Sequence, residues 1–233
     1  MNSKKTIEVF TTVTNPISMG YPIFESITSY LSFADSVLII VGRDTENFCN
    51  KVKEKFKDRV RFILTNKWGE EWEYSDMTYH MNLGLQESNA NIVIKMDSDM
   101  IFKNQYGSEI KKVILENSEK FNYFYFDRVN FYQNLGSLQK QTRHLFAINK
   151  DKLKAQKMVY NIQVENGSNV LFIDNQLANF NSTLRITNPK LIPVNYDDTF
   201  CTETQGVEKW YKWHCAKFKN YYKFDNIENK LNY

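Results

Sequence analysis

In the stretch NIVIKMDSDMIF, Asn91 to Phe102, two aspartates stand two positions apart where an apolar run ends. Side chains two apart on extended backbone point to the same side, so Asp97 and Asp99 can close on one hard cation. Mg²⁺ and Mn²⁺ take oxygen ligands, keep open positions and bridge to phosphate oxygens. The chemistry this spacing would supply is the holding of a divalent metal, with Ser98 between its two ligands, against a diphosphate. A plainer reading is a solvated turn, because Asp and Ser both form turns. The pair is the only Asp-x-Asp in the chain, and it ends a strand. Ligands of open α/β sheets gather outside the carboxyl ends of the strands, which favours the metal.

The elements that would place the pair are read from the hydrophobic pattern. Residues Thr6–Thr14 are rich in β-branched residues and end at Asn15-Pro16, a strand and a turn. YPIFESITSYLSF has helical spacing, with a proline near its first turn. Ser36–Val41 is a short apolar run closed by Gly42, and Thr45–Lys57 spaces Phe48, Val52 and Phe56 as a surface helix. RVRFILT predicts a third strand, Ser75–Ser88 a helix, NIVIKM a fourth strand and SEIKKVILENSEKF a further helix. Continuous apolar strands alternating with helices predict an α/β fold, a mostly parallel sheet covered by helices on both faces. The later part is less regular. FNYFYFDRVNFY and TRHLFAI read as strands, DNQLANF as a short helix and EKWYKWHCAKFKNYY as a final helix.

The bulk properties set the class. A chain of 233 residues, 42% hydrophobic and 24% charged, is an ordinary globular chain of one domain. Aromatic residues make up 15%; they suit flat, half-polar ligands such as sugars or bases, and equally suit a core. A net charge of +3 is too mild to indicate nucleic acid. Cys49, Cys201 and Cys215 show no metal-type pairing and read as free thiols in a reducing compartment. The N-terminal residues carry no apolar signal region and no run reaches the length of a membrane span, so a cytoplasmic location is expected.

As an ordered set, these pieces resemble the GT-A-type glycosyltransferases, within them the family-two group, over about residues 1–105. The set comprises an opening strand, the strand and loop ADSVLIIVGRDTEN, and a helix with an Asn-x-Gly pair (Asn82, Gly84) before the metal strand in MNLGLQESNANIVIKMDSD. RVNFY and TRHLFAINKDKL give a weaker echo of the acceptor-side strands of members that build cell-surface glycans. The resemblance implies a GT-A-like (Rossmann-like) domain spanning 1–233, with a nucleotide-sugar half at 1–105 and a mixed acceptor-side half at 106–233. Two positions depart from the family. Val41 stands where an aspartate usually reads the base, leaving Asp44 nearest, and Met81 stands where Arg often precedes the Asn.

The resemblance implies a nucleotide-sugar donor, UDP-type first, and a glycan or lipid-linked acceptor, with Mn²⁺ or Mg²⁺ held by Asp97 and Asp99. Thr11, Thr12, Asn15, Gly42, Asp44, Asn82 and Ser98 would line the donor, although Thr and Asn also serve as plain strand and turn residues. His214, in the last helix, would be a further metal ligand or simply a hydrogen-bonded histidine. An inverting reaction needs a carboxylate base from the second half. Asp174, after the apolar run NVLFI, is the first candidate and Glu165 the second, with Asp127, Asp197 and Asp198 behind them; Asp174 can equally cap a helix. KWYKWHCAKFKNYYKF alternates basic and aromatic residues. It would either pack on the domain or meet an anionic membrane at its inner face. A sugar-nucleotide pyrophosphorylase would want a Gly-rich, basic loop after the first strand, which TTVTNPISMGYP is not; two other readings stand beside the transferase. One is a phosphatase of the haloacid dehalogenase type using Asp97 as nucleophile; the other is a nucleotide-sugar-binding module without catalysis.

Overall fold

The computed structural model describes residues 5–17, 21–68, 74–131, 138–153, 157–162, 169–174, 176–177, 182–188 and 190–195. Its first part is the strand–helix series that the apolar spacing predicts: β1 (Ile7–Val13), α1 (Ile23–Tyr30), β2 (Ser36–Val41), α2 (Phe48–Phe56), β3 (Val60–Leu64), α3 (Tyr74–Glu87) and β4 (Ile92–Lys95). Then come β5 (Met100–Ile101), α4 (Gly107–Asn117), β6 (Tyr123–Phe131), β7 (Leu138–Asn149), α5 (Lys150–Leu153), β8 (Met158–Ile162), β9 (Asn169–Ile173), β10 (Gln176–Leu177), β11 (Thr183–Ile186) and β12 (Val194–Asn195).

The main sheet runs β3-β2-β1-β4-β7-β6-β12-β5, with β11 pairing the first half of β6. The pairs β3–β2, β2–β1 and β1–β4 are parallel, while β7 runs antiparallel to both β4 and β6. The sheet is therefore mostly parallel and turns mixed beyond β4. A separate antiparallel sheet holds β8, β9 and β10.

Alternation along β1 sorts the two faces of the main sheet. Ile7, Val9 and Val13 join the core formed with Ile23 and Ile27 of α1, Phe48 and Val52 of α2, and Ile110 and Ile114 of α4. Phe10 points the other way, into a core with Met81 and Leu85 of α3 and Tyr160 of β8. Helices thus cover both faces. A parallel sheet needs this, because its central strands are apolar on both sides.

Two local differences from the sequence pattern have physical causes. The helix expected from Thr45 begins at Phe48. The Asp44 carboxylate takes the amides of Glu46, Phe48 and Cys49, holding the residues between in a turn, and Asn47 adopts φ 59°. DNQLANF does not open as a helix: Asp174 is the turn residue between β9 and β10, with φ 50°, and Gln176 pairs back to Ile173. A positive φ is open to Asp and Asn, and it suits a tight hairpin. The final helix expected at 208–222 lies outside the described residues. Among those described, no helix is long and apolar enough to cross a membrane.

Candidate active site

β1 lies between β2 and β4, so the loops leaving all three strands open on one edge of the sheet. The backbone ties them there. The Gly42 amide donates to the Val13 carbonyl at 2.8 Å, and the Thr65 amide to Val41 at 2.9 Å. The Met96 amide donates to Phe10 at 2.9 Å, and beyond that bond β4 leaves the ladder. Asp97, Ser98 and Asp99 follow at once, as a turn closed from the Met100 amide to the Asp97 carbonyl at 3.3 Å.

Two hydroxyls from α1 hold this turn from the side of the larger core. Tyr30 Oη donates to the Asp97 carbonyl at 2.5 Å, and Ser26 Oγ donates to the Ser98 carbonyl at 2.9 Å. The Asp97 side chain is 44% exposed, whereas Asp99 as a residue is only 5% exposed. Both carboxylates act on one buried phenol. Burial raises the Tyr30 pKa well above its ordinary value, and the charges of Asp99 and then Asp97 add to that rise. Burial likewise raises Tyr160 on β8, with the Asp97 charge adding to it. Asp97 also forms an ion pair with Lys95, two residues back on β4.

This donor set fits a hard divalent ion. It supplies two carboxylates two residues apart at one strand end, and among the described residues no three His, Cys, Asp or Glu gather.

The other expected site residues are placed as follows. Thr11 and Thr12 lie in β1 just before its last residue, Val13, and the Thr11 hydroxyl is buried with no hydrogen-bond partner among the described residues. Asn15, with φ 39°, accepts the Thr45 amide at 2.9 Å and so laces the loop after β1 to the loop after β2. Asp44 does the capping described above. Burial works to raise its pKa, but bonds from the Cys49 and Phe48 amides outweigh that and leave it lowered. The bare face of Gly42 is filled by Trp68, because a Cβ there would stand 2.3 Å from Trp68 Cβ. Trp68 in turn lies 5.0 Å from His80, centroid to centroid.

Asn82 pairs with the backbone of β8 in both directions, Nδ2 to the Tyr160 carbonyl at 2.9 Å and the Tyr160 amide to Oδ1 at 2.6 Å. It therefore docks the small sheet on α3 and brings Tyr160 toward Asp97. Asp174 is exposed at its hairpin turn, where its carboxylate accepts the Lys157 amide at 2.8 Å. Asp127 is buried at the irregularity of β6 between Phe126 and Arg128, paired with Arg185 at 2.9 Å. Glu165, Asp197, Asp198 and His214 lie outside the described residues.

Lys95, Tyr160, Ser26 and Tyr30 were not legible as site residues. Lys95 and Tyr160 carry no local motif. Ser26 and Tyr30 left one faint signal, two hydroxyls one helical turn apart on the otherwise apolar face of Ile23 and Ile27.

No protein-family model and no curated protein sequence matches the chain. Among solved structures it is similar to a 1–349 fragment of S. aureus TarS, with TM-score 0.55 and 12% identity over 95% of this chain and 73% of the fragment. It has the GT-A-type fold of TarS. The same fragment solved with UDP-GlcNAc gives TM-score 0.56 at 12% identity, and TarS itself gives 0.56 at 14%. The chain spans 44% of the length of that larger TarS structure. In this fold, the turn after β4 that carries Asp97 and Asp99 opens on the carboxyl edge of the parallel strands, where α/β sheets bind ligands.

Proposed function

We propose that this protein is a glycosyltransferase that moves a sugar from a UDP-type nucleotide donor to a glycan or lipid-linked acceptor. The observation that carries the reading is the carboxylate pair held at the carboxyl edge of β4, in a fold shared with a protein crystallised with UDP and with UDP-GlcNAc. Asp97 and Asp99 would hold Mn²⁺ or Mg²⁺, which when bound supplies counter-charge to the departing nucleoside diphosphate. The loops after β1 and β2, with Thr11, Thr12, Asn15 and Asp44, would face the nucleoside. Lys95 stands beside Asp97, where a diphosphate would also lie.

The acceptor side falls to the small sheet. β8 brings Tyr160 near Asp97, and β9 pairs with β8 and is followed at once by Asp174. For an inverting reaction the base would be Asp174 first and Glu165 second. The base takes the acceptor's proton but does not touch the nucleotide. Asp174→Asn should therefore lower transfer by roughly 10²–10⁴-fold while UDP binding stays near normal. Loss in Glu165→Gln instead would move the role to that residue. The basic-aromatic segment at 209–224 would give peripheral contact with the inner membrane face, in a cytoplasmic protein.

A donor-hydrolysis and transfer screen across UDP-, GDP-, CDP- and dTDP-sugars with Mn²⁺ tests the whole reading. Turnover of a UDP-sugar supports it. Binding of beryllofluoride at Asp97 with no turnover of any nucleotide sugar would favour the phosphatase.

A further inference from the structure

The turn that carries the carboxylates is tied to α1 by two buried hydroxyls, and these bonds do more than fill space. Tyr30 and Ser26 are both fully buried. They lie four residues apart on the face of α1 that packs on the sheet, so they meet the turn side by side. Phenylalanine and alanine would fill the same volume without needing a partner. Burying a hydroxyl without a bond is costly, so each is tolerated because a carbonyl of the turn accepts its proton. The two carbonyls belong to consecutive residues, Asp97 and Ser98, the first two positions of the turn. The Asp97 carbonyl takes a second bond from the Met100 amide. With these peptide groups fixed, the backbone bearing both carboxylates has little freedom to rotate.

We propose that Ser26 and Tyr30 are positioning residues for the Asp97–Asp99 cation site, holding its turn through their hydroxyls so that a divalent ion meets two carboxylates already in place. The inference rests on the metal reading given above. Without the hydroxyls, the turn would have to be ordered at the moment of binding, and affinity for the ion would fall by that cost.

The test is Mn²⁺ binding to the full chain in the presence of UDP, read from the free-Mn²⁺ paramagnetic resonance signal, beside the melting temperature. The variants are Tyr30→Phe, Ser26→Ala and Asp99→Asn. Loss of one such bond should weaken Mn²⁺ binding roughly three- to tenfold in Tyr30→Phe and in Ser26→Ala. UDP binding in EDTA should be unchanged in both. Ser26→Ala removes few atoms and keeps the test open if Tyr30→Phe does not fold. A purely structural role would lower the melting temperature and leave the Mn²⁺ affinity of the folded protein at the wild-type value, and that result overturns the proposal while the metal reading stands. If the wild type binds no Mn²⁺, or Asp99→Asn binds it as well as the wild type does, the metal reading itself fails and the positioning role falls with it.

Discussion

Asp97 sits between an amine and two phenols, and that setting decides what a cation finds there. Lys95 is its ion-pair partner, with a side chain only 15% exposed, so the amine has little room to move away. An entering Mn²⁺ must share or displace it. The pair is partly open to water, and such pairs contribute on the order of 0.2–1 kcal/mol. Lys95→Met should therefore tighten Mn²⁺ binding by about two- to fivefold, as measured by calorimetry in the absence of nucleotide. A weaker affinity would mean that Lys95 orders Asp97 rather than competing for it. The Asp-x-Asp was readable in the sequence because carboxylate spacing is a local property. Its surroundings were not. Tyr160 arrives through the docking of β8 on α3, and the two α1 hydroxyls through packing across about seventy residues of chain.

At the scale of elements, the Asn-x-Gly of α3 acts as a joint. Asn82 grips β8, and Gly84 lets the helix lie directly on β1. A Cβ at Gly84 would stand 2.3 Å from Phe10 Cδ2, and Phe10 is fully buried and cannot swing aside. Helix propensity alone would make Gly84→Ala more stable by about 1 kcal/mol. Overpacking costs about 1–3 kcal/mol, and here it should win. We expect a net loss of up to about 2 kcal/mol in urea unfolding; a more stable variant would show that α3 can lift from the sheet without cost. The β1–β4 and α1–α4 series was legible from apolar periodicity because each element is four or more residues long and buries a face. β5 and β12 are two residues each and exist through their long-range partners, while β10, equally short, exists through its hairpin with β9. DNQLANF misled because Asp174 is as good a hairpin residue as a helix cap.

For the molecule as a whole, two buried titratable groups tie folding to pH. His80 Nδ1 donates to the Asp76 carbonyl at 2.5 Å, which leaves Nε2 to accept the Thr65 hydroxyl at 2.7 Å, the neutral tautomer. Burial holds its pKa below the ordinary 6.5, against the Asp76 carbonyl bond that raises it. The folded state therefore resists protonation. Its contribution is complete above the unfolded value and is lost as pH falls from about 6.5 toward the folded pKa. Glu8 acts in the same direction at lower pH. Burial works to raise its pKa, but bonds from Arg61, Ser88 and Ser36 outweigh that and leave it below the ordinary 4.5. That stability is present above the unfolded pKa and lost as pH falls through the folded one. The melting temperature should decline steadily between pH 7.5 and pH 4, and His80→Gln should remove the upper part of the decline. A profile flat across pH 7.5–5.5 in the wild type would contradict the neutral, buried His80.

If the carboxylates of the turn after β4 hold a divalent ion against a nucleoside diphosphate, ion and nucleotide must bind together. Calorimetric titration of UDP, with Mn²⁺ and then with EDTA, into the wild type and Asp99→Asn reads that coupling. Mn²⁺ should tighten UDP binding to the wild type by on the order of 100-fold, and Asp99→Asn should lose this gain while its weak binding in EDTA is unchanged. UDP affinity indifferent to Mn²⁺ in the wild type, or an equal gain in Asp99→Asn, would contradict the metal reading.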